Sequence, residues 1–153
     1  PSLVGSEMCI RDRPNSNVDK DLKPLKIGEA NIINEGSSEI VILNFGTLLN
    51  EANQISKELK ATLVDMRFVK PLDEKLLRKL FKKAKVFISI EDGSIMGGAG
   101  SAVQEFASKE NLNVRSILFG IPDKFIEHAS REEMLVEAGL DVENIKSKLS
   151  KLL

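Results

Sequence analysis

The sequence predicts an α/β fold, a three-layer α/β/α sandwich in which a mainly parallel sheet lies between helices. Short apolar runs of strand character alternate three times with amphipathic helical segments, the pattern of consecutive βα units joined by crossovers. The run Val86-Phe-Ile-Ser-Ile90 lacks the in-out alternation of a half-exposed strand and suits a parallel strand covered on both faces. At 153 residues, 42% hydrophobic and 29% charged, the chain is long enough for one domain with a core of its own.

The elements follow in order. Residues 1–13, Pro-Ser-Leu-Val-Gly-Ser-Glu-Met-Cys-Ile-Arg-Asp-Arg, show neither helical nor strand periodicity, and they lack the basic start and long apolar centre of a signal peptide. They resemble translated adapter read-through and are read as a non-native leader, the alternative being a genuine disordered segment; Met8 and Cys9 are given no role. Residues 14–24, polar and bounded by Pro14 and Pro24, read as a linker to a domain spanning 25–153. Ile27 to Asn34 is a first strand, Glu35-Gly-Ser-Ser38 a turn, and Glu39 to Phe45 a buried second strand; taken alone these two read as a hairpin. Thr47 is the expected N-cap of a helix that buries Leu48, Leu49, Ala52, Ile55 and Leu59. Ala61 to Met66 is the third strand. Pro71 keeps Lys70 extended, so the next helix is expected to begin at Asp73 and to bury Leu76, Leu77, Leu80, Phe81 and Ala84. The strand from Val86 to Ile90 follows, then a glycine-rich turn, then a helix with Ala99, Ala102, Val103, Phe106 and Ala107 on one stripe. Asn113 to Phe119 is the last strand. Ser130-Arg-Glu-Glu133 is a capping box, Gly139 a C-cap, and Asp141 caps a final helix with Val142, Ile145, Leu149, Leu152 and Leu153 on one face.

Composition narrows the function. The formal net charge of −1 gives no electrostatic case for nucleic acid or an anionic membrane, and no apolar run approaches a membrane span. One Cys excludes an intrachain disulfide, and with one His it makes a Cys/His zinc cluster untenable. Lys75, Arg78, Lys79, Lys82, Lys83 and Lys85 form a basic stretch, read as a solvated helix face with cations near the C-terminus rather than as a phosphate or nucleic-acid site.

The candidate site is the stretch Glu91-Asp-Gly-Ser-Ile-Met-Gly-Gly-Ala-Gly100. Gly98-Ala-Gly100-Ser-Ala-Val103 is a near miss to the dinucleotide fingerprint, with Val103 where a third glycine is needed. Glu91 and Asp92 would repel a pyrophosphate there unless a metal intervened, and two adjacent carboxylates are a weak metal signal. A tight strand-to-helix turn is favoured over a nucleotide site; the third reading is an interface loop at the C-terminal end of a strand. Arg67 is placed to pair with Glu91 or Asp92, as a structural ion pair or as a contact to a neighbouring domain. His128 has no Ser or Cys nucleophile nearby in sequence except Ser130, so it is read as a surface or interface histidine rather than part of a hydrolase triad.

Five segments carry a resemblance: Ile42-Leu-Asn-Phe-Gly-Thr-Leu48, Ala61-Thr-Leu-Val-Asp-Met-Arg-Phe-Val-Lys-Pro-Leu-Asp73, Glu91-Asp-Gly-Ser-Ile-Met-Gly-Gly-Ala-Gly-Ser101, Gly120-Ile-Pro-Asp-Lys-Phe-Ile-Glu-His128 and Glu137-Ala-Gly-Leu-Asp141. In this order they resemble the transketolase-type C-terminal domain of the 1-deoxy-D-xylulose-5-phosphate synthase family, from about Leu25 to the end of the chain. Ala129 departs from the glycine expected after His128. The resemblance implies a five-stranded sheet whose first strand is antiparallel at an edge, which conflicts with the hairpin reading. It implies a chain truncated at its N-terminus whose parent uses thiamine diphosphate and Mg2+ to join decarboxylated pyruvate to glyceraldehyde 3-phosphate. The product, 1-deoxy-D-xylulose 5-phosphate, feeds isoprenoid, thiamine and pyridoxal phosphate synthesis. The Gly-Asp-Gly cofactor motif, the cofactor-activating glutamate and the substrate histidines of that family are missing here, so this chain is expected to bind no cofactor and to supply no catalytic residue. Its expected partners are the preceding domains and a second subunit in a cytoplasmic bacterial homodimer. Arg67, Glu91, Asp92, Met96, Gly97, Gly98, Gly100 and His128 are the candidate interdomain or dimer-interface residues. Another transketolase-like enzyme, such as a transketolase or the β subunit of a 2-oxo-acid dehydrogenase, and a stand-alone nucleotide-binding regulatory module are the alternatives.

Overall fold

The computed structural model describes residues 24–153; the leader and residues 14–23 of the linker lie outside the described residues. Ten elements follow in chain order: β1 (Asn31–Asn34), β2 (Ile40–Phe45), α1 (Leu49–Leu59), β3 (Thr62–Asp65), α2 (Glu74–Phe81), β4 (Val86–Ser94), α3 (Ala99–Lys109), β5 (Arg115–Ile121), α4 (Arg131–Ala138) and α5 (Val142–Leu152). They form one five-stranded sheet in the order β1-β3-β2-β4-β5, parallel except for β1.

Period-two alternation along the central strands splits the core into two layers. Ile42, Leu63, Ile88, Ile90, Ile117 and Phe119 face α1, α4 and α5, meeting Leu48, Ala52, Ile55, Leu140, Ile145 and Leu149. Val41, Leu43, Phe45, Val64 and Phe87 face α2 and α3, meeting Leu77, Phe81, Val103 and Phe106. Each fully buried Leu, Ile or Phe among these contributes about 1.5–3 kcal/mol over an exposed one, and this is what holds short helices that would be marginal alone.

The hairpin expectation fails. β1 pairs antiparallel with β3, Asn31 opposite Asp65, and β2 lies between β3 and β4. The Glu35–Ser38 turn crosses over β3, where Gly36 N–H donates to Thr62 Oγ1 (3.0 Å) and Ser38 N–H to Lys60 O (3.0 Å). A Cβ on Gly36 would overlap the Lys60–Thr62 backbone, so a glycine is required there. The first strand also starts at Asn31 rather than Ile27, and β4 runs on through Glu91, Asp92 and Gly93 to Ser94 instead of stopping at Ile90.

Three caps stand where the sequence puts them. Asp73 accepts from Leu76 N–H (2.9 Å), Ser130 and Glu133 close the capping box, and Asp141 accepts from Asn144 N–H (3.2 Å). Gly139 ends α4 at φ 70°, in the left-handed region a Schellman-type end needs. Thr47 is not a cap: the residue before α1 is Leu48, which has no side-chain cap bond, and Thr47 is held elsewhere. At the chain end Leu152 and Leu153 are exposed, so the apolar stripe of α5 buries only its Ile145 and Leu149 portion fully.

Candidate functional site

All the predicted site residues lie at the C-terminal edge of the sheet: Arg67 after β3, Glu91 and Asp92 at the end of β4, Met96, Gly97 and Gly98 in the turn after it, Gly100 in the first turn of α3, and His128 after β5. The sheet delivers them to one edge because the strands that carry them are parallel.

Glu91 is the organising side chain. It is 4% exposed, and its carboxylate accepts from Ala99 N–H (2.7 Å) and Gly100 N–H (2.9 Å), the first amides of α3. Those amides have no intrahelical partner, and the N-cap, Gly98, has no side chain to offer them. A carboxylate there also meets the positive end of the helix dipole. Gly97 turns the chain at φ 71°, and a Cβ on Gly98 would overlap Ser94 O and the Glu91 carboxylate. Gly100 lies over the buried Ser89 hydroxyl with no room for a Cβ. The glycines thus let a strand residue reach around the turn and cap the helix that follows. The anion position that a phosphate-binding turn would offer is filled by the chain's own carboxylate.

Asp92 does a different job. Its Oδ2 accepts from both the backbone N–H (3.1 Å) and the hydroxyl (2.7 Å) of Thr47, which ties the β2–α1 turn to β4. Arg131, at the start of α4, donates to Thr47 Oγ1 (3.1 Å) and lies 3.9 Å from Glu51, so three loops of this edge are fastened together. Sequence reasoning passed over Arg131 because no local signal links it to Thr47, 84 residues away.

The expected pairing of Arg67 with Glu91 or Asp92 is not made. Arg67 sits at φ 58° and its Nε is 3.5 Å from Asp65 on its own strand, while Glu91 and Asp92 are engaged as above. His128 is exposed on the loop between β5 and α4. No group of three or more His, Cys, Asp or Glu side chains among the described residues is placed to hold a metal ion, and no helix among them is long and apolar enough to cross a membrane. Glu91 is buried as the cap of α3 and the exposed Asp92 is engaged by Thr47, so this pair of carboxylates does not fit a site for thiamine diphosphate or Mg2+.

The edge also carries exposed apolar side chains. Phe125 is 100% exposed and Met96 69% exposed at the β4–β5 end of this edge, and Leu25, Ile27 and Val69 are exposed at its β1–β3 end. Residues 25–30 reach it because β1 runs antiparallel: Ala30 N–H donates to Asp73 (3.1 Å) and Gly28 packs on Pro71. The loops at the opposite edge, 34–39, 60–61, 82–85 and 110–114, carry no exposed large hydrophobic residue. The basic stretch lies on α2 and towards that edge and is partly neutralised, with Arg78 between Glu74 (2.7 Å) and Glu110 (2.8 Å) and Lys85 on Glu39 (2.6 Å). Hydrogen bonding to Glu110, then to Glu74, raises the Arg78 pKa, and the same Arg78 contact lowers that of Glu110.

Comparison with known proteins agrees with this architecture. The family described as transketolase, C-terminal domain, matches residues 28–145. The 1-deoxy-D-xylulose-5-phosphate synthase of Stutzerimonas stutzeri is 48% identical over 141 residues, 92% of this chain and 22% of that protein. The synthase of the same name from Pseudomonas aeruginosa is 45% identical over 133 residues, 87% of this chain and 21% of that protein. The chain thus spans about a fifth of the length of the curated relatives it matches. Among solved structures, a split-gene transketolase in the form of an inactive β4 tetramer superposes with a TM-score of 0.78 at 25% identity, covering 90% of this chain and 46% of that one. On its fold and on a match across 28–145, the chain belongs to the transketolase C-terminal domain family.

Proposed function

We infer that this chain serves as the C-terminal domain of a thiamine-diphosphate- and Mg2+-dependent 1-deoxy-D-xylulose-5-phosphate synthase of the bacterial cytoplasm. The observation that supports this most is the 42–48% identity to such synthases over nearly the whole chain. In this reading the parent joins decarboxylated pyruvate to glyceraldehyde 3-phosphate, and the cofactor and catalytic groups come from the rest of the enzyme. This chain docks through its C-terminal sheet edge, with Met96 and Phe125 as apolar anchors and His128 and Arg67 as polar contacts at the rim. Exposed aromatic and Met side chains gathered on one edge are the composition of an interface core. Glu91 and Asp92 act indirectly, by holding the loops that present those anchors.

The nucleotide-binding reading is disfavoured by Glu91, which occupies the anion position of the glycine turn. The coding sequence upstream of Asn15 in the source DNA tests the reading. An in-frame Gly-Asp-Gly cofactor motif before this domain supports a synthase. A frame without the diphosphate-binding domain would point to a 2-oxo-acid dehydrogenase β subunit instead.

A further inference from the structure

The loop that joins β5 to α4, residues 122–130, carries Phe125 at 100% exposure between two neighbours that are tied inward. Lys124 N–H donates to Pro122 O (2.7 Å), which turns the chain sharply. The Lys124 ammonium then donates to Glu137 O (3.2 Å) and lies 3.7 Å from the Glu137 carboxylate, so it is fastened to α4. Ile126 packs against the core layer of α1, α4 and α5. With the residues on both sides engaged, Phe125 is left in solvent and forgoes the burial that makes Phe a core residue.

Packing alone does not hold this loop. An open cleft of about 410 Å³ lies beside it, lined by Ser94, Ile121 and Pro122 as well as by the loop itself. The helix it leads into, α4, has eight residues and buries only Ala138 fully. Polar ties stand at both ends instead. Lys124 makes the first. Arg131 makes the second, donating to Thr47 Oγ1 (3.1 Å) and lying 3.9 Å from Glu51 Oε1. Both acceptors are suited to it. Thr47 is itself fixed by Asp92, and Glu51 Oε2 is buried with no hydrogen-bond partner, so Arg131 is the one cation within ion-pair distance of that carboxylate among the described residues.

We propose that Lys124 and Arg131 are positioning residues for docking: they bracket the loop and hold Phe125 outward before the partner arrives. The interface is thereby spared the entropy of ordering the loop. The inference rests on the docking reading above, in which the remainder of the synthase receives Phe125. Each exposed tie alone shifts an equilibrium only about two- to fivefold, and the two together, at opposite ends of one loop, about tenfold.

The test uses the full 153-residue chain and, as its partner, the Stutzerimonas stutzeri synthase lacking its C-terminal fifth. Amide exchange at Phe125, Ile126 and Glu127 is expected to quicken about two- to fivefold in Lys124→Ala and in Arg131→Ala and about tenfold in the double variant, while exchange at Leu43 in β2 stays constant. The double variant is expected to bind the truncated synthase at least about threefold more weakly, because less of it holds the competent loop. Lys124→Arg keeps a cation for Glu137 and is expected to behave as the wild type. Loop exchange that neither variant changes overturns the inference, and so does binding that the double variant leaves intact. Failure of the wild-type chain to bind overturns the docking reading and this inference with it. If Arg131→Ala does not fold, Lys124→Ala against Lys124→Arg decides.

Discussion

Replacing Glu91 tests whether the glycine-rich turn is built around a structural carboxylate. The side chain is 4% exposed and accepts two backbone hydrogen bonds, from Ala99 at 2.7 Å and Gly100 at 2.9 Å. A hydrogen bond to a charged group contributes about 1.5–3 kcal/mol, and removing one partner leaves a buried donor unsatisfied. Glu91→Ala removes both acceptors and strands two buried amides where no N-cap side chain can replace them, so the expected loss is about 3–5 kcal/mol. Glu91→Gln keeps the shape and one acceptor oxygen but turns an NH2 towards the second amide, for an expected loss of about 1.5–3 kcal/mol. Against a typical domain stability of about 5–15 kcal/mol, the alanine variant is severely weakened. Urea unfolding at neutral pH reads both, as a fall in midpoint at constant slope. A Glu91→Ala loss below about 1 kcal/mol, the average for any substitution, would refute the capping argument. Glu91→Gln matching the wild type would refute the part of it that rests on charge.

Gly98→Ala is expected to cost about 1–3 kcal/mol by overpacking although its backbone angles suit alanine, because the new methyl meets Ser94 O and the Glu91 carboxylate; thermal unfolding checks it. The Glu133 carboxyl is held below its usual range by hydrogen bonds from the Ser130 hydroxyl and then the Ser130 N–H. A depressed folded pKa gives stability that is present above about 4.5 and lost as pH falls through the folded value. The stability gap between wild type and Ser130→Ala is therefore expected to narrow on acidification, and a gap constant from neutral pH to about pH 3 contradicts the assignment. Saturating ADP or NAD is expected to leave the melting temperature unchanged. A ligand at a hundredfold excess over its dissociation constant would stabilise by about 2.7 kcal/mol, and a rise of that size would show that a nucleotide does bind.

The layers of the fold were legible because they depend on local pattern. Each main strand run and each helix stripe needed only period-two or period-3.6 spacing, and Asp73, Ser130 and Asp141 are caps whose partners lie three residues on. Placement of β1 was not legible from local pattern. Its partner is β3, and the Gly36 and Ser38 contacts that route it there span more than 20 residues of sequence. Only the family resemblance put an antiparallel strand at the edge. Thr47 misled for the same reason: a hydroxyl before a helix is a local capping signal, and Asp92, 45 residues away, outcompetes it. At the candidate site the sequence located the loops but not their wiring. Glu91 and Asp92 look alike as neighbours in a sequence, yet strand alternation sends one under α3 and the other to Thr47. Arg67 was left with Asp65 because both expected partners were already taken.

The measurement that bears most directly on the account is activity in a chimaera. The C-terminal fifth of the Stutzerimonas stutzeri synthase is deleted, or replaced by residues 25–153 of this chain, and formation of 1-deoxy-D-xylulose 5-phosphate is followed. Deletion is expected to abolish the reaction, this chain to restore it, and Phe125→Asp in the chimaera to lower it again without changing the stability of the isolated 153-residue chain by more than about 0.5 kcal/mol. A soluble, folded chimaera as inactive as the deletion would contradict it.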